Sequence, residues 1–277
     1  MISVIISIYN KEAVLERVIQ ALFNTSSELV TEYIFVLDGC TDNSEIIVKK
    51  MVEQIPYHKT YKILYANNVY ETRANNIGLK QATQPYSCII QDDMEILEKN
   101  WDKRMLAPFQ AFDDIFAVTA RTAVQLREDR QFINGVEGPV GHNCFQKNNN
   151  VSRDIFYVNQ LINRGPLLLD SEKLKVLNYF DETLPGLMGS DDVDMCIKAI
   201  TKYGWKCGCY WIQYNSPLDW GSTRTGVHSH FVGKTMELNL NEVCNRHREF
   251  LLNWDKNKLY EERFLKDNNP DGYTIMP

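Results

Sequence analysis

The first hundred residues alternate between short apolar runs and segments with helical periodicity. Residues 3–8 (SVIISI) and 33–37 (YIFVL) are almost continuously apolar, which is typical of strands that are buried on both faces. Apolar residues recur at helical spacing through residues 11–23. Strands and helices continue to alternate in this way, and the order predicts an α/β fold with a mostly parallel sheet and helices on both faces.

The remaining elements follow from the same patterns. We expect helices at 46–51, 73–82, 171–177 and 192–203, and strands at 61–65, from 88, at 116–119, within 163–169 and at 207–212. Glycine, proline and asparagine predict a loop over 134–150. Residues 237–264 are largely helix-compatible, and residues 267–277 are expected to form a tail.

Charge and hydropathy argue against two classes of protein. The net charge of −6, with no basic cluster, argues against a nucleic-acid partner. No apolar run approaches the ~20 residues of a membrane-spanning helix, so we expect no integral membrane segment. The first residues, MISVIISIYN, lack the basic region and cleavage site of a signal peptide, and we therefore expect a cytoplasmic protein.

The seven cysteines are scattered and odd in number, which indicates reduced thiols rather than a disulfide framework. Three doublets contain metal-ligand residue types, and these are His142 with Cys144, Cys207 with Cys209, and His228 with His230. Zinc sites favour CxxC-type spacing, whereas i,i+2 spacing places two side chains on one face of a strand. We therefore favour strand geometry over a structural zinc site.

Polar segments follow three of the predicted strands. They are YNK after the first strand, DGCTDNS after the second and QDDME after the fourth. Open α/β sheets bind their ligands at the carboxyl ends of the strands. The three segments therefore predict a binding site at one edge of the sheet.

Three acids crowd the end of the fourth strand, where Asp92, Asp93 and Glu95 lie within four residues. Like charges repel, and the burial of an unpaired carboxylate is unfavourable. Either these acids are solvated at the strand end, or a cation lies between them. Oxygen ligands suit Mg²⁺ or Mn²⁺, ions that carboxylates often share with substrate phosphates.

A second acidic cluster, GSDDVDM, opens the predicted helix at 192–203. Acids in the first turn of a helix interact favourably with the helix dipole, and this interaction alone can explain one or two of them without a functional role. Three acids in four residues exceed what capping requires. A carboxylate held at this position could take a proton from a hydroxyl nucleophile.

Taken in order, these segments resemble the family 2 glycosyltransferases of GT-A fold over residues 1–215. The resemblance rests on five motifs, VIISIYNKEAVLERVIQAL, FVLDGCTDNS, ETRANNIGLKQA, IIQDDMEI and GSDDVDMCIKA. It implies a nucleotide-sugar-binding half at 1–100 and an acceptor-binding half with the catalytic base at 101–215. A C-terminal loop and helical extension would occupy 216–277.

The resemblance also implies roles for individual residues. Asp192 is expected to be the general base, with Asp191 as the close alternative. Asp93 is expected to bind a Mn²⁺ or Mg²⁺ ion. Four further residues are expected to contact the donor, namely Tyr9 (stacking near the base), Asp38 (accepting a hydrogen bond from the base), Arg73 (base or diphosphate) and Asp92 (ribose or sugar).

Two features qualify this pattern. Residues 220–235 contain His228 and His230, either of which could add a metal ligand, and the alternative is a surface loop. Three positions depart from the family motifs, since Gln91 and Leu37 each replace an acid and Ile8 replaces a threonine. These departures could weaken metal binding or signal an unusual donor nucleotide.

The resemblance implies a metal-dependent, inverting glycosyltransferase that moves a sugar from a nucleotide-diphosphate sugar to the hydroxyl of a glycan or another acceptor. A UDP-sugar is favoured as donor, and GDP- and dTDP-sugars are alternatives. Two other functions stay open, a sugar-phosphate nucleotidyltransferase and a non-catalytic nucleotide- or glycan-binding module of the same fold. A nucleotidyltransferase would need a glycine-rich basic loop after the first strand, where SIYNKEA has no glycine.

Overall fold

The computed structural model describes residues 1–120, 123–125, 131–133, 136–138, 141–143, 152–159, 161–162, 164–216, 227–253 and 261–272. Its strands are β1 (Ile2–Ile8), β2 (Val30–Asp38), β3 (Thr60–Ala66), β4 (Tyr86–Gln91), β5 (Glu95–Ile96), β6 (Ile115–Thr119), β7 (Ala123–Gln125), β8 (Gln131–Ile133), β9 (Val136–Gly138), β10 (Gly141–Asn143), β11 (Ile155–Asn159), β12 (Leu161–Ile162), β13 (Leu167–Asp170), β14 (Lys206–Cys209), β15 (Tyr214–Asn215) and β16 (Glu261–Phe264). Its α-helices are α1 (Leu15–Thr25), α2 (Ser44–Val52), α3 (Tyr70–Gln81), α4 (Trp101–Ala111), α5 (Ser171–Val176), α6 (Asp191–Tyr203), α7 (Val227–Arg246) and α8 (Arg248–Leu252).

A nine-stranded sheet lies at the centre of the molecule, in the spatial order β16-β11-β14-β6-β13-β4-β1-β2-β3. The strands from β4 through β1 and β2 to β3 are parallel, and so are β6 and β14. The strand β13 runs antiparallel to β4 and β6, and β11 runs antiparallel to β14 and β16. The predicted α/β architecture is confirmed.

The first strand is buried because helices cover both faces of the sheet. Its side chains alternate between two apolar clusters, and Val4 and Ile6 pack in the same cluster as Leu15 of α1. Ile5 packs in the other cluster, which includes Leu79 of α3. Successive side chains of a strand point to opposite faces, so a strand between two helical layers must be apolar at nearly every position.

Two expectations for the C-terminal region are wrong. The predicted helix-compatible stretch at 237–264 is helical in α7 and α8, which end at Arg246 and Leu252, but Glu261–Phe264 forms β16 and pairs with β11 at the edge of the sheet. Backbone pairing there overrides the local propensity of EERF. Part of the predicted tail is ordered, since Asn269 is buried and the Lys99 N–H donates to the carbonyl of Gly272.

Smaller differences concern loops and strand ends. The predicted loop at 134–150 contains the short strands β9 and β10, and its other residues lie outside the described residues. The predicted strand at 207–212 ends at Cys209, and both Cys207 and Cys209 are buried in β14 and form no disulfide. None of the helices in the described part of the chain is both long enough and apolar enough to cross a membrane.

A buried ion-pair network holds the C-terminal segment against α4. The Arg153 guanidinium donates to Glu98 at 2.7 and 3.0 Å and to Asp267 at 2.7 Å. Arg104 of α4 donates to Asp267 at 2.7 Å, and the Asn269 amide donates to Glu98 at 3.0 Å. Because the side chains of Glu98 and Arg104 are fully buried, their charges depend on these partners for compensation.

We expect Glu98→Ala to lower the free energy of unfolding by about 3–5 kcal/mol, because it removes the buried carboxylate that Arg153 contacts. Urea denaturation followed by tryptophan fluorescence measures this change. Glu16→Ala is the matched control, since its carboxylate pairs with Lys50 at the surface and should contribute little. Equal effects of the two substitutions would contradict a stabilising role for the buried network.

Candidate active site

The register of the sheet brings the polar segments together. Ser7, near the end of β1, pairs with Gln91 at the end of β4, and Ile8 pairs with Leu37 of β2. The segments that follow these three strands therefore begin at the same edge of the sheet. The three polar segments share this edge, and a binding site there stays a prediction.

The three acids after β4 have different partners. Asp92 accepts a hydrogen bond from the Tyr9 N–H at 3.0 Å and lies 3.7 Å from the Lys11 ammonium. Glu95 receives two hydrogen bonds from Arg17, at 2.8 and 2.7 Å. Among the described residues, cations thus pair with two of the three acids, and no ion pair includes Asp93.

The buried Oδ1 of Asp93 has no hydrogen-bond partner among the described residues. Burial raises the pKa of its neighbour Asp92 to about 7, with Lys11 opposing the rise and the charges of Asp93 and Glu71 adding to it. Negative charge at the end of β4 therefore exceeds what the nearby Lys11 compensates. Such a site favours a bound cation.

Two of the predicted donor contacts lie around α3. Asp38 is buried, and its carboxylate accepts hydrogen bonds from the backbone N–H groups of Val69 and Tyr70, at 2.6 and 2.9 Å. It thereby caps the start of α3, and a carboxylate retains further acceptor sites for a ligand. Arg73 is exposed on the same helix, and no ion pair between described residues joins it to Asp92.

The acid pair at the start of α6 is held by a buried arginine. Arg164 forms an ion pair with Asp191 through its guanidinium, and its backbone N–H donates to Asp192 at 3.3 Å. Asp191 is fully buried, whereas Asp192 is 8% exposed. Asp194, the third acid of the motif, lies 2.8 Å from the His247 Nε2 and therefore helps to hold α6 in place.

Burial also raises the pKa of both members of this pair. The pKa of Asp192 rises to about 6, with the Arg164 cation opposing the rise and Asp191 adding to it. Burial raises the pKa of Asp191 as well, again against the effect of Arg164. At neutral pH Asp192 is therefore ionised but more basic than an ordinary aspartate, which suits a general base.

Arg164 is the main site residue that the sequence analysis missed. The antiparallel pairing of β13 with β4 places the start of β13 beside the end of β4. Gly165 has a φ of +68°, and a Cβ there would lie 2.7 Å from Oε1 of Gln91, so the close approach requires glycine. The Gln91 amide donates to Glu71 at 3.3 Å, and Glu71 lies 3.6 Å from the Arg164 guanidinium.

This contact gives a physical reason for Gln91, one of the departures from the family motif. An aspartate in its place would set one carboxylate against another at Glu71, whereas the glutamine amide donates a hydrogen bond to it. Arg164 stands in the sequence Arg-Gly-Pro before β13, and nothing in that sequence indicates which acids the arginine contacts.

The C-terminal helix α7 fixes the loop that precedes the acid pair. The Asn239 amide donates to the backbone carbonyls of Met188 and Gly189, at 3.1 and 2.9 Å, and its oxygen accepts from the Gly186 N–H. A Cβ at Gly186 would overlap the Thr235 carbonyl oxygen, so loop and helix are in close contact. Sequence analysis also missed Asn239, which follows Gly189 by 50 residues.

Comparison with known proteins identifies the family. Residues 3–167 match the sequence profile of the family described as glycosyl transferase family 2. The chain belongs to this family. No curated protein sequence matches the glycosyltransferase.

Solved structures of other glycosyltransferases share its GT-A fold. The mannosyltransferase PcManGT from Pyrobaculum calidifontis, in complex with GDP-Man and Mn²⁺, is 14% identical with a TM-score of 0.56, over 87% of this chain and 69% of that one. GalNAc-T7 with UDP, GalNAc and Mn²⁺ is 12% identical with a TM-score of 0.66, over 88% of this chain and 48% of that one. Glucosyl-3-phosphoglycerate synthase from Mycobacterium tuberculosis, with Mg²⁺ and UDP, is 17% identical with a TM-score of 0.52, over 88% of this chain and 79% of that one. Identities this low establish the shared fold alone.

The residues at the end of β4 fit a divalent cation that is shared with a substrate. The buried Oδ1 of Asp93 is an anionic oxygen with no donor among the described residues, and Asp92 adds a second carboxylate. In the described part of the chain, no three His, Cys, Asp or Glu side chains form a metal-ligand group, so water and phosphate oxygens would complete the shell. His228 and His230 fall in the first turn of α7, and their side chains lie outside the described residues.

The contact between α7 and the loop at 186–189 should matter for activity. We expect Asn239→Ala to lower kcat by about tenfold or more, because the loop before the acid pair loses three hydrogen bonds and small displacements of catalytic groups are costly. Release of nucleoside diphosphate from the donor measures kcat. Asn245→Ala, at an exposed position of α7, is the control, and an unchanged kcat in Asn239→Ala would show that the loop holds its position without the amide.

Proposed function

We propose that this family 2 glycosyltransferase transfers a sugar, with inversion, from a nucleotide-diphosphate sugar to an acceptor hydroxyl and that it uses Mn²⁺ or Mg²⁺. The observation that carries the proposal is the meeting of two acid pairs. Asp92 and Asp93 follow β4, and Asp191 and Asp192 open α6. Glu71 joins them, because it accepts a hydrogen bond from Gln91, the residue before Asp92, and lies 3.6 Å from Arg164, which pairs with Asp191. These contacts support the assignment of both pairs to one site.

The donor diphosphate is assigned to the end of β4. Asp93 would hold a divalent cation there through its carboxylate oxygen, which lacks a described protein partner. Such an ion would supply positive charge to the leaving diphosphate. Asp92 would contact ribose or sugar, and its contacts with the Tyr9 N–H and Lys11 support this role because they fix its carboxylate.

The nucleotide base is assigned to the segments after β1 and β2. Tyr9 would stack near the base, Asp38 would accept a hydrogen bond from it, and Arg73 would contact base or diphosphate. The capping bonds from Val69 and Tyr70 support the role of Asp38, because they hold its carboxylate in one orientation. In this scheme residues 1–100 form the donor half, 101–215 the acceptor half and 216–277 an extension.

Asp192 is the better candidate for the general base. Asp191 is fully buried and its carboxylate pairs with Arg164, whereas Asp192 retains exposed surface toward which a hydroxyl can approach. Its raised pKa, about 6, favours proton transfer from an acceptor near neutral pH. The other two acids of the GSDDVDM motif pair with Arg164 and Lys198, which leaves one base in the motif and no second nucleophile. This fits direct displacement, in which the acceptor oxygen attacks as the diphosphate leaves on the opposite face.

The donor class follows by analogy and is part of the proposal. The neighbours above were solved with UDP, GDP-Man, Mn²⁺ or Mg²⁺. We favour a UDP-sugar, with GDP- and dTDP-sugars as alternatives. The acceptor is a glycan or another molecule with a free hydroxyl.

Calorimetric titration with UDP, GDP, dTDP and CDP, with and without Mn²⁺, tests the proposal. We expect one nucleotide to bind and its affinity to depend on the metal, because the acids of β4 need a cation before they can face a diphosphate. Turnover of the corresponding sugar donor would exclude a non-catalytic binding module. Failure of all four nucleotides to bind in either condition would refute the proposed donor site.

A further inference from the structure

Arg164 lies between the two acidic groups of the site. It is 5% exposed, and its guanidinium lies 5.2 Å from the centre of the Phe180 ring. One guanidinium nitrogen pairs with Asp191, another lies 3.6 Å from Glu71, and Nε lies 4.0 Å from Asp192. In the described part of the chain, Arg164 is the cation within 4 Å of the acid pair, and it also reaches an acid of α3.

The backbone of Arg164 adds to this arrangement. Its N–H donates to Asp192, while the next residue, Gly165, packs against Gln91 without room for a Cβ. The position of the backbone is thus fixed from the side of β4. Main chain and side chain of one residue together hold both acids at the start of α6.

We propose that Arg164 is a positioning residue for glycosyl transfer. It binds Asp191 as a fixed counterion, leaves Asp192 as the carboxylate that meets the acceptor hydroxyl, and ties α6 to the donor side through Glu71. The proposal rests on the proposed function of Asp192 as general base. Its physical basis is that two adjacent carboxylates at a buried helix start require a compensating cation, and a planar guanidinium can engage several carboxylates at once.

This role has an electrostatic consequence with a definite sign. Burial raises the pKa of Asp192, the Arg164 cation lowers it, and the charges of Asp191 and Glu71 raise it. The buried thiol of Cys196, one turn along α6, also faces this carboxyl. Loss of the Arg164 charge should therefore raise the pKa of Asp192, and loss of the Glu71 charge should lower it.

The test is a direct titration of Asp192 in Arg164→Lys, Arg164→Met and Glu71→Gln. Carbon-13 NMR of aspartate-labelled protein follows the carboxyl, and the Asp192→Asn spectrum assigns its signal. We expect Arg164→Met to raise the midpoint by about one pH unit or more, Glu71→Gln to lower it, and Arg164→Lys to stay near the wild type. Arg104→Met removes a buried arginine from the separate network with Asp267 and should leave the midpoint unchanged.

The pH dependence of kcat should shift in the same directions as the pKa of Asp192. Release of nucleoside diphosphate from UDP-glucose, UDP-N-acetylglucosamine and GDP-mannose with Mn²⁺ gives kcat as a function of pH. A base is active when it is deprotonated, so the acidic limb of the kcat–pH profile follows the pKa of Asp192. This limb should move to higher pH in Arg164→Met and to lower pH in Glu71→Gln, with the donor KM little changed.

Two results would overturn the role of Arg164. One is an Asp192 midpoint that stays in place in Arg164→Met, and the other is a loss of kcat in Arg164→Met without any movement of the acidic limb. If Arg164→Met does not fold, Arg164→Gln, which also removes the charge but keeps a hydrogen-bond donor, takes its place in both measurements. Wild-type kcat in Asp192→Asn would instead refute the proposed base while leaving the measured shifts intact, so the two failures are distinguishable.

Discussion

Replacing Asp192 by asparagine should lower kcat by about 10²- to 10⁴-fold, because in the proposed mechanism this carboxylate takes the proton of the acceptor hydroxyl. The affinity for the donor should be nearly unchanged, since the side chain keeps its size and lies on the acceptor side. Nucleoside diphosphate release measures kcat, and calorimetric titration measures donor affinity.

Burial raises the pKa of Asp192 to about 6, so the ionised carboxylate opposes folding above that pH. The melting temperature of Asp192→Asn at pH 8 should therefore not fall below that of the wild type.

Asp194→Asn is the matched control for this substitution. Asp194 belongs to the same motif and is almost fully buried, but it pairs with Lys198 and His247. We expect it to lower stability and to leave kcat close to that of the wild type. If Asp192→Asn retained transfer and Asp191→Asn abolished it, the assignment of the base would have to move to Asp191.

Replacing Asp93 by alanine should weaken the proposed metal-dependent nucleotide binding by about 100-fold or more, because the cation would lose its proposed carboxylate ligand. Substitution of a group that hydrogen-bonds to a metal ligand already lowers metal affinity or activity by about 10- to 100-fold. Calorimetric titration of the protein with nucleoside diphosphate at a series of Mn²⁺ concentrations measures this affinity. The protein itself should not be destabilised, since the buried Oδ1 has no described partner to lose.

Glu95→Gln separates this effect from a general loss of negative charge. Glu95 lies two residues further along the chain, and its carboxylate is bound by Arg17 at 2.7 and 2.8 Å. We expect its replacement to leave the Mn²⁺ dependence unchanged. Equal losses in Asp93→Ala and Glu95→Gln would show that the acids act as a diffuse charge rather than through one ligand.

Much of the fold was predictable because it depends on local patterns. The apolar runs of β1 and β2 and the helical spacing of α1 are set by neighbouring residues, and they determine the order of the elements. The same reasoning placed acids at the end of β4 and at the start of α6. It failed at β16, whose strand conformation depends on pairing with β11, more than a hundred residues earlier in the chain.

The partners of the acids were not predictable in the same way. A side chain 70 or more residues away leaves no periodic signal in the sequence, as Arg17 and Glu95 illustrate with a separation of 78 residues. Arg164 and Asn239 are nearer in the chain to the residues that they hold, at 27 residues from Asp191 and 50 from Gly189, but no periodic pattern links them either.

The sequence alone determined the order of strands and helices, the family resemblance and the location of both acid pairs, since these depend on spacing along the chain. Tertiary structure decided which acids are compensated and which are not. Asp92 gained Lys11 and Asp191 gained Arg164, whereas Asp93 kept a buried oxygen without a described donor. The physical reason is that charge compensation acts over a few ångströms in space, and only the folded chain sets those distances.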